Sequence, residues 1–334
     1  MKKIAKLARD IRLYHSLAAE DRRAGRDLTL VQDNLAGLGP RDIVLVVCLR
    51  NERMRLPAFA EHYRRIGVRH FMLIDNDSED DLMSWASAQS DVSVWHTSAS
   101  YRGSNFGMLW CNALLRRYGV GRWCVVVDPD EFLVYPHMET RDLAALTRFL
   151  DDDGRPCMHT VMLDAYSDLP LGETVLHEGE NPFELCPYFD GDGYLQRQGW
   201  GHGNWIRGGP RLRVHFRDAP QNAPSLNKIS LIKWQKHFHY HSSMHDAHPW
   251  FLNRAHREGE VSTTGCLFHF KFVASLREKA EEEARRNQHF AGGREYKRYR
   301  NHFTATFFDP DLSVRYRDPQ QLVDLGLMSP GRWF

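Results

Sequence analysis

The sequence predicts an α/β fold in which helices flank a mostly parallel sheet, followed by a mixed, loop-rich half. Up to about residue 150, apolar runs that suit strands buried on both faces alternate with helix patterns, and such alternation produces βαβ units. The strand runs are 43–49, 70–75, 92–96 and 122–128; the helix patterns follow Pro57 and cover about 80–89 and 104–118. Beyond residue 150 the alternation loosens, with strand-like runs at 157–163, 211–216, 229–234, 237–241 and 265–270 and a charged helix from about Val273.

The composition indicates a soluble globular chain. Its 334 residues carry 44 Lys and Arg against 43 Asp and Glu, and this balance argues against nucleic acid as a partner, because nucleic-acid binding shows a basic excess. The six cysteines form no CxxC pair, which disfavours a disulfide framework. No run reaches the ~18 apolar residues of a membrane span, and the N-terminus lacks the features of a signal peptide. We expect a cytoplasmic location.

Residues 1 to about 20 form an amphipathic pattern. Ile4, Leu7, Ile11, Tyr14 and Ala18 share one stripe at helical spacing, and lysines and arginines occupy the other positions. A basic helix of this kind suits the surface of an anionic membrane, so peripheral membrane association is one interpretation. Packing of the apolar stripe on the body of the protein, with a solvated basic face, is the other.

The sharpest chemical signal is VVVDPDEF at 125–132. Asp128 and Asp130 follow a buried strand, at the end where open α/β sheets bind ligands, and Glu131 adds a third carboxylate. Two carboxylates one residue apart suit Mg²⁺ or Mn²⁺, which also bind substrate phosphates. A solvated acidic turn is the alternative. A dehalogenase-type phosphatase is disfavoured, since that motif wants Thr or Val where Phe132 stands.

Polar residues also follow the first two strands. Arg50, Asn51 and Glu52 end the first, and Asp75 ends the second, where a carboxylate can accept hydrogen bonds from ribose. The chain contains neither GxGxxG after the first strand nor GxxxxGK[ST], which disfavours NAD and P-loop chemistry.

Taken in order, these motifs resemble a glycosyltransferase of the GT-A fold. The segments are CLRNExxRLPAFAEHYRRIGVRHFMLIDNDSEDD, SNFGMLWCNALLRRY and WCVVVDPDEFLVY, and the resemblance extends over about 42–290. It is to the bacterial family 2-like branch that is also similar to family 92. The resemblance implies that Asp128 and Asp130 hold Mn²⁺ or Mg²⁺ on a sugar diphosphate. It also implies a set of donor contacts: Arg50, Asn51, Glu52, Asp75, Asn105, Asn112 and Asp128.

The resemblance further implies four parts of the chain: an N-terminal helical extension (1–40), a nucleotide-sugar-binding half (41–150), an acceptor-binding half (151–290) and a C-terminal extension (291–334). The acceptor would be a glycan or a lipid-linked saccharide, as in polysaccharide biosynthesis. Transfer with inversion requires a general base. Asp246 is the candidate and Asp164 its rival; Asp190 and Asp192 are further possibilities.

The resemblance also implies that a histidine far along the chain completes the metal site. We favour His269, which ends an apolar run, over its rival His245. The alternation of His237, His239 and His241 also suggests a zinc site, but no cysteine accompanies them. Two alternatives to a glycosyltransferase stay open: a nucleotidyltransferase or sugar-phosphate enzyme with the same metal site, and a non-catalytic carbohydrate-binding relative.

Overall fold

A computed structural model describes residues 2–198, 204–241, 243–256, 259–276 and 306–334. Its strands are β1 (Thr29–Gln32), β2 (Val44–Leu49), β3 (His70–Asp75), β4 (Val92–His96), β5 (Trp123–Val126), β6 (Glu131–Val134), β7 (Cys157–Asp164), β8 (Tyr188–Asp190), β9 (Leu195–Gln198), β10 (Asn204–Arg207), β11 (Asn227–Lys233), β12 (His239–Tyr240), β13 (Ala247–His248), β14 (Thr264–His269) and β15 (Ser313–Arg315). Its α-helices are α1 (Lys2–Ala24), α2 (Leu56–Arg65), α3 (Leu82–Ser87), α4 (Met108–Leu114), α5 (Leu143–Asp152), α6 (Pro182–Leu185) and α7 (Pro319–Asp324).

One nine-stranded sheet organises the described residues, in the order β1-β4-β3-β2-β5-β11-β7-β14-β6. The strands β2, β3, β4, β5, β7 and β14 run in one direction, while β1, β11 and β6 oppose them. The predicted fold class, a mixed α/β chain with a mostly parallel central sheet flanked by helices, is therefore confirmed.

The strand order places a binding crevice at the middle of the sheet. From β2 the chain adds β3 and β4 on one side, and then crosses back to add β5 on the other side of β2. Ligands of open α/β sheets bind at such a reversal, outside the carboxyl ends of the strands. The segment after Leu49 and the segment after Val126 meet at this edge. The sequence motifs thus lie where the topology favours a site.

The sheet curls at its far side. Lys228 on β11 contacts Glu131 on β6, although β7 and β14 lie between these strands in the sheet. The chain also returns from the end of β5 to the start of β6 within a few residues, and Glu131 N donates to the carbonyl of Asp128 at 3.0 Å. This curl buries Glu131 beside Asp128, whose own side chain is 46% exposed.

The apolar runs found in the sequence are strands where their side chains are buried on both faces. All six residues of β3 and all eight of β7 are buried. The short strands β1 and β6 were not predicted. The strand predicted at 211–216 is wrong: Arg211–His215 is a π-helical turn that begins after Pro210 in a helical conformation, and proline suits that position.

The C-terminal part of α1 packs on the body of the protein. Ala18, Asp21 and Ala24 are buried, and Asp21 pairs with His239 at 3.1 Å and with Arg116. The packing interpretation therefore holds for this part of the helix. In the described chain, no helix combines the length and apolar character of a membrane span.

Two sequence predictions are not tested by the described residues. The charged helix expected from Val273 lies mostly outside the described residues. The boundaries at 40, 150 and 290 stay predictions, although strands from before and after residue 150 form one sheet.

Candidate active site

Strand register brings the acidic motif together with residues from three later strands. β11 pairs with β5 so that Leu231 faces Val125 and Lys233 faces Trp123, and the same register continued brings Lys228 opposite Asp128. On β14, His269 lies between Asp164 of β7 and Glu131 of β6. A cluster of charged side chains therefore forms at one edge of the sheet. We call these residues the charged edge: Asp128, Asp130, Glu131, Asp164, Arg211, Lys228 and His269.

Lys228 joins two carboxylates of the charged edge. Its Nζ lies 2.9 Å from Asp128 Oδ2 and contacts Glu131 Oε1. Burial would lower the pKa of Lys228, but the two carboxylates outweigh it and raise that pKa. Burial raises the pKa of Glu131 to about 7, against the opposing effect of Lys228. The side chain of Asp128 is 46% exposed, and the Lys228 ammonium outweighs its partial desolvation, so the pKa of Asp128 is lowered.

His269 connects Asp130 to a buried ion pair. Its Nδ1 donates to Asp164 Oδ1 at 2.7 Å, and its Nε2 lies 3.4 Å from Asp130 Oδ2. The other oxygen of Asp164 accepts from Arg211 Nε at 2.6 Å. Burial alone would lower the pKa of His269, but Asp130 and Asp164 raise it to about 9. The pKa of Asp164 is lowered, because Arg211 and His269 outweigh the effect of its burial.

His245, the rival third ligand, lies on the loop before β13. Its Nδ1–H donates to the carbonyl of Asn227, next to Lys228. Burial, together with the nearby Lys228 charge, lowers the pKa of His245 to about 4. His245 therefore lies next to the charged edge, of which His269 is a member. Within the described part of the chain, no three His, Cys, Asp or Glu side chains converge as they would around a metal ion.

The loops after β2 and β3 are joined to each other. Arg50 donates to the carbonyl of Asn76 at 3.0 Å and pairs with Glu79 at 2.6 Å. Asn51, with a left-handed backbone (φ 52°), donates its N–H to Ser78 Oγ and accepts from Glu79 N through its side chain. Glu52 pairs with Arg55 at 3.0 Å. These contacts fix the predicted nucleoside-binding loop.

Asp75 ends β3 at the bottom of these loops. One of its oxygens accepts from Ser78 N at 3.0 Å, and the other lies 3.1 Å from His96 Nδ1. His96 was not among the site residues predicted from the sequence. The available signal was its position at the end of the strand VSVWH, next to the strand of Asp75.

Asn105 and Asn112, both predicted to contact the donor, have different surroundings. Asn105 donates to the carbonyl of His241 at 3.1 Å. Asn112 is fully buried, donates to the carbonyl of Tyr240 at 2.8 Å and accepts from the Tyr240 N–H at 3.0 Å, so that it anchors β12 to α4. Its role in binding the donor stays a prediction.

Gly107 allows the preceding loop to pack on β2. Asn105, Phe106 and Gly107 all have positive φ, and a Cβ on Gly107 would lie 2.9 Å from Cys48 Sγ. Glycine is therefore required here both for its φ and for the close approach.

The candidate bases differ in how many partners hold them. Asp246 is half-buried and accepts from Asn253 Nδ2 at 2.9 Å; burial raises its pKa. Asp164 is buried between Arg211 and His269. Asp190 is held by Arg213 and by the Tyr166 hydroxyl at 2.5 Å, whereas Asp192 is exposed.

The alternating histidines do not share one face of a strand, because β12 contains only His239 and Tyr240. His239 lies 3.1 Å from both Asp21 Oδ1 and Asn112 Nδ2. It therefore ties α1 and α4 together.

One curated protein resembles the chain in sequence. It is a family 92 glycosyltransferase protein of Ricinus communis, 29% identical over 112 residues, which cover 33% of this chain. The match spans about a fifth of that relative (20%). No protein-family model matches the chain.

Solved structures align loosely. A glucose-1-phosphate thymidylyltransferase from Bacillus anthracis has a TM-score of 0.30 and 8% identity, over 59% of this chain and 72% of that one. Glucosyl-3-phosphoglycerate synthase from Mycobacterium tuberculosis, solved with Mn²⁺ and UDP, has a TM-score of 0.23 and 19% identity, over 42% and 49%. A 4-diphosphocytidyl-2C-methyl-D-erythritol synthase gives 0.29 and 13%, over 60% and 76%. On the basis of the family 92 relative, this chain resembles glycosyltransferases of the GT-A type.

Proposed function

We propose that this protein is a glycosyltransferase that moves a sugar from a nucleotide-sugar donor to a hydroxyl of a glycan or lipid-linked acceptor, by a single inverting displacement. The observation that carries the proposal is the charged edge. Asp128 and Asp130 stand at the carboxyl end of β5, beside the reversal of strand order, and buried cationic groups surround them. The family 92 relative supports the same reaction class.

In this proposal Asp128, Asp130 and His269 would hold a divalent cation, Mn²⁺ or Mg²⁺, and would have to move closer together to do so, because no three such side chains of the described residues converge as around an ion. Carboxylate oxygens suit both ions. A histidine ligand usually donates its other ring nitrogen to a carboxylate, as His269 does to Asp164. When bound, the ion would neutralise charge that develops on the departing diphosphate.

The chain's own residues would perform the other steps. In the displacement, the acceptor oxygen bonds to the anomeric carbon, the bond from that carbon to the diphosphate breaks, and the nucleoside diphosphate leaves with the electron pair. The acceptor proton passes to a base. Asp246 is our candidate, because Asp164 has both oxygens bonded. Arg50, Asn51, Glu52, Asp75, Asn105 and Asn112 remain the proposed donor-binding residues.

Nucleotide-dependent thermal shifts test the proposal. Unfolding is followed with UDP, GDP, dTDP and CMP, each with and without Mn²⁺. We expect one nucleotide to raise Tm, and Mn²⁺ to increase that rise. Asp128→Asn and Asp130→Asn should abolish the increase, whereas Asp151→Asn, which removes an exposed carboxylate on α5, should not. Equal Mn²⁺ dependence in all variants would contradict the assignment.

Product analysis separates the reaction classes. A glycosyltransferase releases a nucleoside diphosphate, or CMP from a CMP-sugar, whereas a nucleotidyltransferase releases pyrophosphate. We expect the first product, and a rate at least about a hundredfold lower in Asp128→Asn, because the loss of one group that stabilises developing charge has effects of that size. Release of pyrophosphate instead would contradict the proposal.

The third ligand is tested by His269→Ala and His245→Ala. We expect only the first to remove the Mn²⁺ increment in the thermal shift. The opposite result would assign the ligand to His245.

A further inference from the structure

A cavity lies at the edge of the sheet opposite the charged edge. Its volume is about 340 Å³, and Arg155, Arg254 and His256 are among the residues that line it. It adjoins Cys157, the first residue of β7, whereas Asp164 of the charged edge is the last residue of that strand. At ~3.3 Å per residue, the two ends of β7 are about 23 Å apart. The cavity is therefore separate from the candidate active site.

Hydrogen bonds join the two segments that line the cavity, one at the start of β7 and one after β13. The carbonyl of Leu252 accepts from His159 Nε2–H at 2.8 Å and from Cys157 Sγ at 3.6 Å. Arg155 Nη2 donates to the carbonyl of Ala255 at 2.7 Å. The walls of the cavity are thus held together by the chain itself, as in most small-molecule sites.

The lining of the cavity is basic. Of the described residues that line it, three carry basic side chains and none carries a carboxylate. Arg155 is 7% exposed, and it also donates to Ser262 Oγ, which fixes the plane of its guanidinium. Partial burial lowers the pKa of His256, and the positive charge of Arg155 lowers it further. This effect on a neighbouring ring indicates a positive potential in the cavity.

We propose that this cavity binds a phosphate group, carried either by a soluble small molecule or by a lipid headgroup. Guanidinium groups present planar sets of donors that match phosphate oxygens. His256 Nδ1 accepts from Ser262 N at 3.1 Å, so Nε2 carries the proton of the neutral ring and adds a further donor. A phosphate has enough oxygens for two arginines and a histidine, whereas a carboxylate has only two.

The cavity also has room for the group that carries the phosphate. Its volume of about 340 Å³ is within the range of sites for small organic ligands. Phe251 lines the cavity and is 51% exposed, so its ring can contact the organic part of the ligand. The site is independent of the proposed function, because it shares no residue with the charged edge.

The decisive variant is Arg254→Met. Arg254 is exposed, and substitutions of this kind leave the fold almost unchanged. Arg317→Met is the matched control, since it removes an exposed arginine just after β15. Inorganic phosphate is titrated into the full chain, with potassium chloride at the same ionic strength as the reference. Backbone hydrogen exchange is followed by mass spectrometry in peptides that cover 247–256.

We expect phosphate, but not chloride, to slow exchange in these peptides, equally in the wild type and in Arg317→Met. Arg254→Met should need at least about tenfold more phosphate for half of the protection, because the loss of one charge-assisted hydrogen bond weakens binding by about that factor or more. Equal titrations of Arg254→Met and the wild type would overturn the proposal. Protection confined to the loops after β2 and β3 would also overturn it, since the phosphate would then occupy the proposed donor site.

Vesicles of phosphatidylcholine, with and without phosphatidic acid, distinguish the two sources of the phosphate. Trp250 is 50% exposed next to Phe251, and aromatic side chains suit the interface of a membrane. Cosedimentation of the wild type only with vesicles that contain phosphatidic acid, reduced in Arg254→Met, would assign the site to a lipid headgroup. If cosedimentation is absent, or is the same in Arg254→Met, the phosphate that protects 247–256 belongs to a soluble ester. Absence of both protection and Arg254-dependent cosedimentation would leave no phosphate site and overturn the proposal.

Discussion

The two regions on either side of the reversal of strand order differ in how far their ion-paired side chains are buried. At the charged edge, Lys228, Glu131, Asp164 and Arg211 are each at most 4% exposed and are bonded to one another or to their neighbours. In the loops after β2 and β3, Arg50 pairs with Glu79, which is 78% exposed. Buried charges depend strongly on their partners, whereas exposed pairs contribute little. The charged edge is therefore expected to be rigid and sensitive to mutation, and the loops tolerant.

The largest effect on stability is expected from Lys228→Met. It leaves Glu131 buried without its cation, and breaking a buried pair in this way costs about 3–5 kcal/mol of the free energy of unfolding. The double variant Lys228→Met/Glu131→Gln should recover most of this loss, because it leaves no buried charge unpaired. Urea denaturation measures both. A cost no larger than that of Lys233→Met, which removes a partly exposed lysine of the same strand, would contradict the comparison.

The second-largest effect on stability is expected at low pH, through the buried His62 on α2. Its Nε2–H donates to the carbonyl of Leu133 on β6 at 2.9 Å, and burial lowers its pKa to about 3. Between about pH 6.5 and 3 the unfolded chain binds a proton on this histidine and the folded chain does not. Stability should therefore fall as the pH falls through this range, by up to about 1.4 kcal/mol per pH unit.

His62→Gln tests this expectation, since glutamine can donate to Leu133 but does not titrate. The free energy of unfolding, measured from pH 8 to 4, should fall less steeply in the variant. A profile parallel to that of the wild type would show that His62 does not contribute to acid lability.

The sequence predicted the regions to different degrees. The strands β2, β3, β4 and β7 were predictable because their residues are apolar and buried on both faces. The positions of Asp128 and Asp130 followed from the end of such a strand. Local pattern could not predict β6, which begins with the buried Glu131 and is stabilised by pairing with β14, where the partner of Glu131 is His269, 138 residues later in the chain.

The pairings within the site were not predictable for the same reason. Lys228 reaches Asp128 because β11 inserts antiparallel between β5 and β7, and nothing in the sequence of β11 encodes that neighbour. Asp75 and His96 meet because β3 and β4 are adjacent and in register. The run 211–216 alternates as a strand does, yet Arg211 turns towards the buried Asp164, and a long-range ion pair outweighs the local pattern.

An intermediate effect is expected from Gly107→Ala, in the loop that precedes α4. The substitution strains a residue with φ of 80° and places a Cβ 2.9 Å from Cys48 Sγ, so we expect a loss of about 2 kcal/mol in the free energy of unfolding. Gly121→Ala is the matched control: its φ is 82°, but nothing lies within 4 Å of the added Cβ. Equal losses in urea denaturation would show that the contact with Cys48 adds nothing.

The smallest effect on stability is expected from Arg50→Met. Its ion pairs with Asp77 and Glu79 involve exposed carboxylates, and it also donates to the carbonyl of Asn76, so the loss should be about 1 kcal/mol or less. Because Arg50 is a proposed donor contact, the same variant should weaken binding of the nucleotide by more than it weakens the fold. Urea denaturation and nucleotide calorimetry on one preparation measure the two quantities. A loss of stability as large as that of Lys228→Met, with unchanged nucleotide affinity, would reverse the comparison and make the loops the structural part of the site.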